Sequence, residues 1–181
     1  YAFKDCSGLT SITIPESIDT IGESLFEGCT GTLIINCDNQ FYSNSYDTRF
    51  TFTYPLEGSR FTEVIIGKSV TSIGNNAFSG CSGLTSITIP ESVTRIGCSA
   101  FKGCTGLTSI AVAPGNKMYD SREGCNAIIK TATNTLIVGC PSTTIPESVT
   151  EIGESAFNSC SSLQSITIPE GVTEIGWRAF Y

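Results

Sequence analysis

Apolar and polar residues alternate along this chain in short blocks that recur at a nearly fixed interval. In the block 86–89, isoleucines alternate with a serine and a threonine, and a period of two is typical of a β-strand that buries one face. Pro90 follows at once, and because proline has no N–H to donate to a neighbouring strand, it predicts the end of the strand. Blocks of this kind therefore predict short strands along the whole chain.

Each block belongs to a longer repeating unit. An apolar first position is followed by Val or Ile, then by Ile-Gly, then by a small residue and Phe, and then by Cys and the next L-x-x-I-x-I block. The steps from 66 to 89 and from 145 to 168 are both 23 residues. One unit is too small to bury its own apolar residues, whereas stacked units cover one another. The pattern predicts a mainly β solenoid, whose regular copies begin at Ile14, Ile66, Ile89, Ile145 and Ile168.

The A-F-x-G-C segment of the unit is too short to form a stable helix by itself. It predicts a single helical turn that directs its Phe into the core, and we expect Phe78, Phe101 and Phe157 to line one shared interior. The Cys that closes the segment recurs beside that Phe, which predicts a column of buried, inert thiols. Its members are Cys6, Cys29, Cys81, Cys104 and Cys160.

The full pattern, L-x-x-I-x-I-P-x-x-V-x-x-I-G-x-x-A-F-x-x-C, resembles the BspA-like, Treponema pallidum-type leucine-rich repeat of bacterial and some protozoan surface proteins. The resemblance covers nearly the whole chain and implies a right-handed stack of parallel strands with short helical turns. We expect one leucine-rich-repeat solenoid over residues 1–181, with units starting at about 1, 14, 37, 66, 89, 112, 145 and 168. Because the chain opens and closes in mid-repeat, it is expected to be a fragment of a longer protein.

The unit over residues 37–65 is longer than the others and has lost the A-F-x-G-C segment. In its place the sequence is rich in aromatic residues. One interpretation is an exposed platform for sugar or protein, carried by Tyr42 and Tyr46. The simpler interpretation is a substitute core, in which Phe50 and Phe52 replace the missing Val and Ile.

The unit over residues 112–144 is also extended. It predicts two strands, at 126–130 and 135–138, around a turn at 131–134. The segment that leads into them, N-x-x-Y-x-S-x-x-G, contains Tyr119 and resembles the longer repeat variant of the same family. This unit therefore predicts a hairpin in the place of a simple turn.

The remaining cysteines invite chemical interpretations. A zinc site needs Cys-x-x-Cys pairs or histidine partners, and the chain has 9 Cys and 0 His without such a pair. Cys125 and Cys140 flank the proposed hairpin, so that either a disulfide in an oxidising compartment or two free thiols is compatible with the sequence. Cys37 is expected to face inward and Cys98 to be exposed.

Composition excludes several classes of function. The net charge is −7, which argues against nucleic acid and against an anionic membrane surface as partners. No apolar run reaches roughly 18 residues, the length that predicts a membrane-spanning helix, so direct membrane insertion is not expected in this segment.

The sequence offers few residues that could form a catalytic site. Without histidine, a Ser or Cys nucleophile lacks its usual base. Stacked carboxylates such as Glu147/Glu170 and Glu151/Glu174 would approach the spacing used by glycosidases, but they lie in turns without a cleft and predict a solvated acidic face. We therefore expect a non-catalytic protein without cofactor or metal.

What remains is a binding surface on the strands. Strands at about 4.8 Å spacing form an extended ribbon, and solenoids bind on such surfaces. The outward side chains are small and polar, which favours weak or multivalent engagement, unless Tyr42, Tyr46 and Tyr119 of the insertions carry the specificity. The candidate strand residues are Glu63, Ser86, Thr88, Ser109, Ser142, Thr144, Ser165 and Thr167.

The family resemblance implies an exported bacterial surface protein that adheres to extracellular-matrix or other cell-surface proteins of a host. The expected partner is a protein or glycan on a host or neighbouring cell, and the expected location is extracellular or at the cell surface. One alternative is a glycan- or mucin-binding module, which is favoured if the three tyrosines of the insertions are exposed and grouped. The other is a passive spacer in a larger surface protein, which predicts no ligand.

Overall fold

The computed structural model describes residues 2–18, 25–37, 56 and 58–181. Short strands make up most of the regular secondary structure of this part of the chain, and its helical content is one 3-10 turn at Arg122–Gly124. In chain order the strands are β1 Ser11–Ile14, β2 Thr30–Ile35, β3 Arg60–Ile66, β4 Ser72–Ile73, β5 Ser86–Ile89, β6 Arg95–Ile96, β7 Ser109–Val112, β8 Tyr119–Asp120, β9 Ile128–Lys130, β10 Thr135–Val138, β11 Glu151–Ile152 and β12 Glu174–Ile175.

The main sheet is formed by the L-x-x-I-x-I blocks. Its five strands lie in the order β1-β2-β3-β5-β7, and every neighbouring pair is parallel. Val64 lies opposite Ile87, which lies opposite Ile110, so each repeat places its inward residue directly over that of the repeat before it. This confirms the predicted stack of parallel strands.

Strand β2 pairs in a register that the sequence did not indicate. Leu33 lies opposite Ile12 and Ile35 opposite Ile14, so its outward residues are Thr32 and Ile34. In the pairing of β2 with β3, the register shifts at a β-bulge between Gly31 and Thr32. Gly31 has a φ of +89°, and a Cβ there would clash with the Thr10 carbonyl oxygen. Both features favour glycine at this position.

The V-T-x-I-G blocks form a second, shorter side of the stack. Strands β4 and β6 pair in parallel, and a five-stranded sheet follows in the order β12-β11-β10-β9-β8. The predicted hairpin is present as the antiparallel pair β9 and β10. Its first strand begins at Ile128, two residues later than predicted. Because Leu136 of β10 lies opposite Ile152 of β11, the hairpin supplies the neighbour of the last V-T-x-I-G strands.

The main sheet ends at β7, because the segments expected to continue it, 142–145 and 165–168, form no strand. The edge of β7 is instead bonded to side chains. Asn126 accepts a hydrogen bond from the Ile110 N–H and donates to the Thr108 carbonyl at 2.9 Å. The Ser142 hydroxyl donates to the same carbonyl at 2.8 Å. A side-chain cap therefore occupies the groups that a sixth strand would have used.

The A-F-x-G-C segments form tight turns, as predicted. Within one turn, the Cys81 N–H donates to the Phe78 carbonyl at 3.1 Å, a spacing of three residues that is typical of 3-10 geometry. Between repeats, the N–H groups of one turn donate to carbonyls of the next, as from Phe78 to Ala100 at 2.8 Å and from Gly80 to Lys102 at 2.8 Å. The turns thus form a hydrogen-bonded ladder of their own.

In the described part of the chain, the buried apolar residues form two hydrophobic clusters. The larger runs from Ile14 to Cys140 and the smaller from Cys125 to Ala179. Phe78 and Phe101 stack within the larger cluster with ring centroids 5.0 Å apart. Phe157 belongs to the smaller cluster, so the expectation that all three rings line one interior was wrong. The extended unit between them contributes no Phe to the column, because it lacks the A-F-x-G-C turn.

Candidate functional site

The candidate surface is the outward face of the main sheet, which we call the ribbon. The strand register aligns one row of outward side chains straight across it: Ser11, Thr32, Glu63, Ser86 and Ser109. All are exposed except the half-buried Thr32, whose hydroxyl donates to the Glu63 carboxylate at 3.0 Å. Thr88 is exposed in the second row. The structure therefore places Glu63, Ser86, Thr88 and Ser109 together on this face, and their role in binding stays a prediction.

The second row of the ribbon contains an apolar patch that sequence analysis did not count among the binding residues. Ile34 and Ile65 are paired neighbours in it. Ile65 is 44% exposed and Ile34 is half-buried. An exposed large apolar side chain in a polar setting is a common feature of protein-binding surfaces. The available signal was the outward place of both isoleucines in the alternation of their strands.

The other predicted strand residues lie outside the ribbon's hydrogen-bonded strands. Ser142, Thr144, Ser165 and Thr167 are all exposed, but their segments form no strand. Ser142 has a structural role, because its hydroxyl bonds to the Thr108 carbonyl and accepts from the Asn126 amide at 2.6 Å. The regular ribbon is therefore shorter than the sequence predicted.

The insertion residue Tyr119 is buried and does not form part of an exposed surface. Its side chain is only 6% exposed, and its hydroxyl accepts a hydrogen bond from the Ile96 N–H at 2.9 Å. Burial raises the pKa of this phenol. Its role is to satisfy the main chain of the preceding repeat, and the expectation of Tyr119 as a ligand-binding residue was wrong. The predictions for Tyr42, Tyr46, Phe50 and Phe52 lie outside the described residues.

Cys125 and Cys140 are buried free thiols. Cys125 packs in the smaller core cluster and Cys140 in the larger one. The sulfur of Cys140 lies 3.6 Å from the Asn126 carbonyl, and that of Cys125 lies 3.9 Å from the Ala127 carbonyl. Since the two side chains face different environments, the structure contains no disulfide between them.

The Cys column is largely the set of inert thiols that the repeat pattern predicted. Cys29, Cys81 and Cys104 are buried, while Cys6 and Cys160 are half-buried. Burial raises the pKa of Cys81 to about 12 and that of Cys160 to about 11, so these thiols stay protonated and unreactive at neutral pH. Outside the column, Cys37 is buried and Cys98 exposed, as predicted.

Charged groups form no recognisable catalytic or metal centre in the described ranges. No cluster of three or more His, Cys, Asp or Glu side chains there is arranged to hold a metal ion. Glu151 and Glu174 are paired neighbours in the second sheet, but Glu174 is exposed, and Glu151 accepts a hydrogen bond from Thr135 at 2.8 Å.

The closest ion pair in the described ranges has a structural role. Arg122 and Asp120 are joined at 2.7 Å, and the hydrogen bonds from Arg122 lower the pKa of the Asp120 carboxyl. The same guanidinium donates to the Asn134 side chain at 2.9 Å. This network therefore ties the turn of the hairpin to the segment that leads into it.

None of the helical segments in the described part of the chain has the length and hydrophobicity needed to span a bilayer.

A stack of leucine-rich repeats with an exposed strand face defines the protein as a repeat module for protein interaction. The family model for the BspA type leucine rich repeat region matches residues 51–125 and 137–181, in 6 copies. The chain therefore belongs to the BspA-type leucine-rich-repeat family, which consists of non-catalytic repeat proteins.

Solved structures of bacterial proteins share this fold. A leucine-rich repeat protein from Eubacterium ventriosum superposes with a TM-score of 0.66 at 20% identity, covering 96% of this chain and 51% of that chain. The pneumococcal vaccine antigen PcpA superposes with a TM-score of 0.63 at 22% identity, covering 94% and 48%. A leucine rich cell surface protein from Faecalibacterium prausnitzii superposes with a TM-score of 0.59 at 26% identity, covering 97% and 52%. This chain thus spans about half the length of each of them. No curated protein matches it in sequence.

Proposed function

We propose that this chain is an extracellular adhesive module of a bacterial surface protein, which contacts extracellular-matrix or cell-surface proteins of a host through the ribbon. The proposal rests mainly on one observation, the exposed Ile65 side chain beside the aligned row of small polar residues. An apolar group surrounded by Glu63, Ser86 and Thr88 can be desolvated at the centre of an interface while polar groups form its rim. The surface location of the related Faecalibacterium protein supports an extracellular setting.

The composition of the ribbon sets the expected strength of binding. Protein interfaces of high affinity concentrate their energy in buried Trp, Tyr and Arg residues, and none of these occurs in the aligned row of the ribbon. A single chain should therefore bind weakly, and several copies on one cell surface would gain strength through avidity.

The test is binding of the purified chain to a panel of immobilised extracellular-matrix proteins and to a glycan array. Ile65→Glu places a charge in the apolar patch and should lower binding to the matrix ligand at least tenfold, about 1.4 kcal/mol. Met118→Glu is the matched control, because Met118 is 37% exposed and lies off the ribbon. It should leave binding unchanged.

Other outcomes of this test would point to a different binding surface or to a different function. Equal binding by both variants would overturn the ribbon as the contact surface. Loss of binding only in a variant that lacks residues 41–54 would place recognition on the insertion. Binding to the glycan array alone would identify a glycan-binding module, and the absence of any ligand in either format would favour a spacer.

A further inference from the structure

A cleft of about 330 Å³ lies on the turn side of the stack, away from the ribbon. It separates the turn that contains Phe101 from the turn that contains Phe157. These turns belong to units that are neighbours on either side of the extended unit 112–144, which has no A-F-x-G-C segment. The cleft therefore lies where the missing turn of unit 112–144 would have stood between these two turns.

One wall of the cleft presents main-chain donors. In the preceding repeat, the N–H groups of Asn76 and Phe78 donate to the carbonyls of the next turn, at 3.1 and 2.8 Å. Ser99 and Phe101 hold the equivalent places in the turn that borders the cleft. Neither N–H donates a hydrogen bond to another described residue. Because the next turn is missing, the repeat geometry directs both groups into the cleft.

The opposite wall presents acceptors and one unusual donor. The Ala156 carbonyl accepts a hydrogen bond from the Gly139 N–H at 2.8 Å, whereas the carbonyls of Glu154 and Asn158 accept none from the part of the chain described. The Asn158 side chain is only 6% exposed and lines the cleft. Its amide nitrogen has no hydrogen-bond partner within the described ranges. A buried donor without a partner is costly, and a ligand in the cleft would satisfy it.

The aromatic column is interrupted at the same level. Phe101 stacks on Phe78 and Phe157 stacks on Phe180, each pair with centroids 5.0 Å apart, but Phe101 and Phe157 lie in different core clusters. Ile137, between the two turns, is only half-buried and contributes to the lining. The cleft thus combines an apolar floor with unpaired main-chain groups on its walls.

We propose that this cleft binds a short segment of a partner protein, which takes the shape of the missing A-F-x-G-C turn. Its main chain would accept from Ser99 and Phe101, donate to the Glu154 and Asn158 carbonyls, and satisfy the Asn158 amide. Its aromatic side chain would pack against the half-buried Ile137 on the floor of the cleft. The peptide would extend the ladder of turns in the way that an added peptide strand extends a β-sheet. This binding would be independent of the ribbon.

A polypeptide fits these walls better than an ion or a sugar. The charges near the cleft are balanced, with Lys102 and Lys130 against Glu151 and Glu154, so no single charge is selected. The cleft presents no exposed aromatic ring of the kind on which sugars stack, because Phe101 is buried. A main chain carries both donors and acceptors, which are the two kinds of group that the walls leave unpaired.

The probe is a fluorescein-labelled synthetic peptide of residues 74–82, GNNAFSGCS, with Cys81→Ser in the peptide. Anisotropy titration with the whole chain should give saturable binding. Asn158→Leu should weaken it about fivefold, because one buried hydrogen bond is lost. Phe78→Ala in the peptide should weaken it at least tenfold, since the buried aromatic surface is removed.

A blocking variant and a control complete the test. Thr133 is exposed at the cleft, so Thr133→Trp should abolish binding, whereas Ser109→Trp on the ribbon should not alter it. The bound peptide should also slow alkylation of Cys98, an exposed thiol that lines the cleft. The proposal is overturned if no binding occurs up to millimolar peptide, or if the peptide with alanine binds equally well. Equal affinity for the Thr133→Trp variant, shown by circular dichroism to be folded, would also overturn it.

Discussion

At the scale of single residues, thiols of the Cys column donate hydrogen bonds to main-chain carbonyls of the preceding repeat. The Cys104 thiol donates to the Phe78 carbonyl at 3.1 Å, and the Cys29 thiol donates to the Phe3 carbonyl at 2.9 Å. Burial raises the pKa of both thiols, so they remain donors. The column therefore contributes weak hydrogen bonds as well as apolar volume.

This arrangement predicts a clear difference between buried and exposed cysteines. Cys104→Ala removes a buried sulfur and its hydrogen bond, so the free energy of unfolding should fall by about 1–3 kcal/mol. Cys98→Ala, at an exposed position, should change it by less than about 0.5 kcal/mol. Chemical denaturation in the presence of a reductant measures both variants. Equal effects would contradict a structural role for the column.

At the scale of elements, the edge of β7 depends on one asparagine. Asn126 satisfies Ile110 and Thr108 through its side chain, and its own φ of +56° lies in the left-handed region. Asparagine tolerates this conformation better than most residues do. Asn126, together with the Ser142 hydroxyl, thus caps the edge of the main sheet where the chain crosses to the hairpin.

Asn126→Gly separates the two contributions of this residue, because glycine accepts the positive φ but cannot form the hydrogen bonds. We expect it to lower the free energy of unfolding by about 1–3 kcal/mol and to accelerate hydrogen exchange at the Ile110 amide. Asn126→Ala should cost roughly 1 kcal/mol more, since it adds backbone strain. If Asn126→Gly were as stable as the parent chain, the cap would not be needed.

The elements also show what sequence alone could and could not predict. The alternation around Ile87 was sufficient for β5, because only one register buries both isoleucines. In β2, by contrast, Leu33, Ile35 and Cys37 are all buried, so the apolar pattern fits two registers and the bulge at Gly31 decides between them. The segment 142–145 has the alternation of a strand, but Asn126 competes for the same edge, and such long-range competition leaves no local signal.

The candidate site was predictable to a similar degree. The outward places of Glu63, Ser86 and Ser109 follow from period two alone. The burial of Tyr119 depends on a hydroxyl that reaches Ile96, a contact between residues 23 apart in sequence. The cleft depends on what one unit lacks, and only the neighbouring turns show which groups are left unpaired.

At the scale of the whole molecule, the extended unit 112–144 joins two cores. Ile128 packs in the larger cluster and Ile129, the next residue, in the smaller one. In repeat proteins stability is a sum of units and of the interfaces between neighbours. The hairpin is thus the interface through which the two parts of the stack stabilise one another.

Because of the buried thiols, the free energy of unfolding of the whole stack should decrease as the pH rises into the alkaline range. The pKa of Cys81 is raised from 9.0 in the unfolded chain to about 12 in the folded one, chiefly by burial. Below pH 9 both states hold the proton, and the full stability is present. Between pH 9 and 12 the unfolded chain loses the proton while the folded chain keeps it, so the unfolded state binds fewer protons and stability falls as pH rises.

The difference between the folded and unfolded pKa values sets the size of this loss of stability. At pH 10.5, about 1.5 units above the unfolded value, Cys81 alone should lower the free energy of unfolding by about 2 kcal/mol relative to pH 8. The pKa values of Cys104 and Cys160 are raised as well, and these thiols add to the loss. Cys81→Ala should therefore show a smaller decrease between pH 8 and 10.5 than the parent chain, whereas Cys98→Ser should show the same decrease. Urea denaturation at the two pH values, with reductant present, measures these decreases. An equal decrease in all three proteins would show that Cys81 does not contribute to the pH dependence.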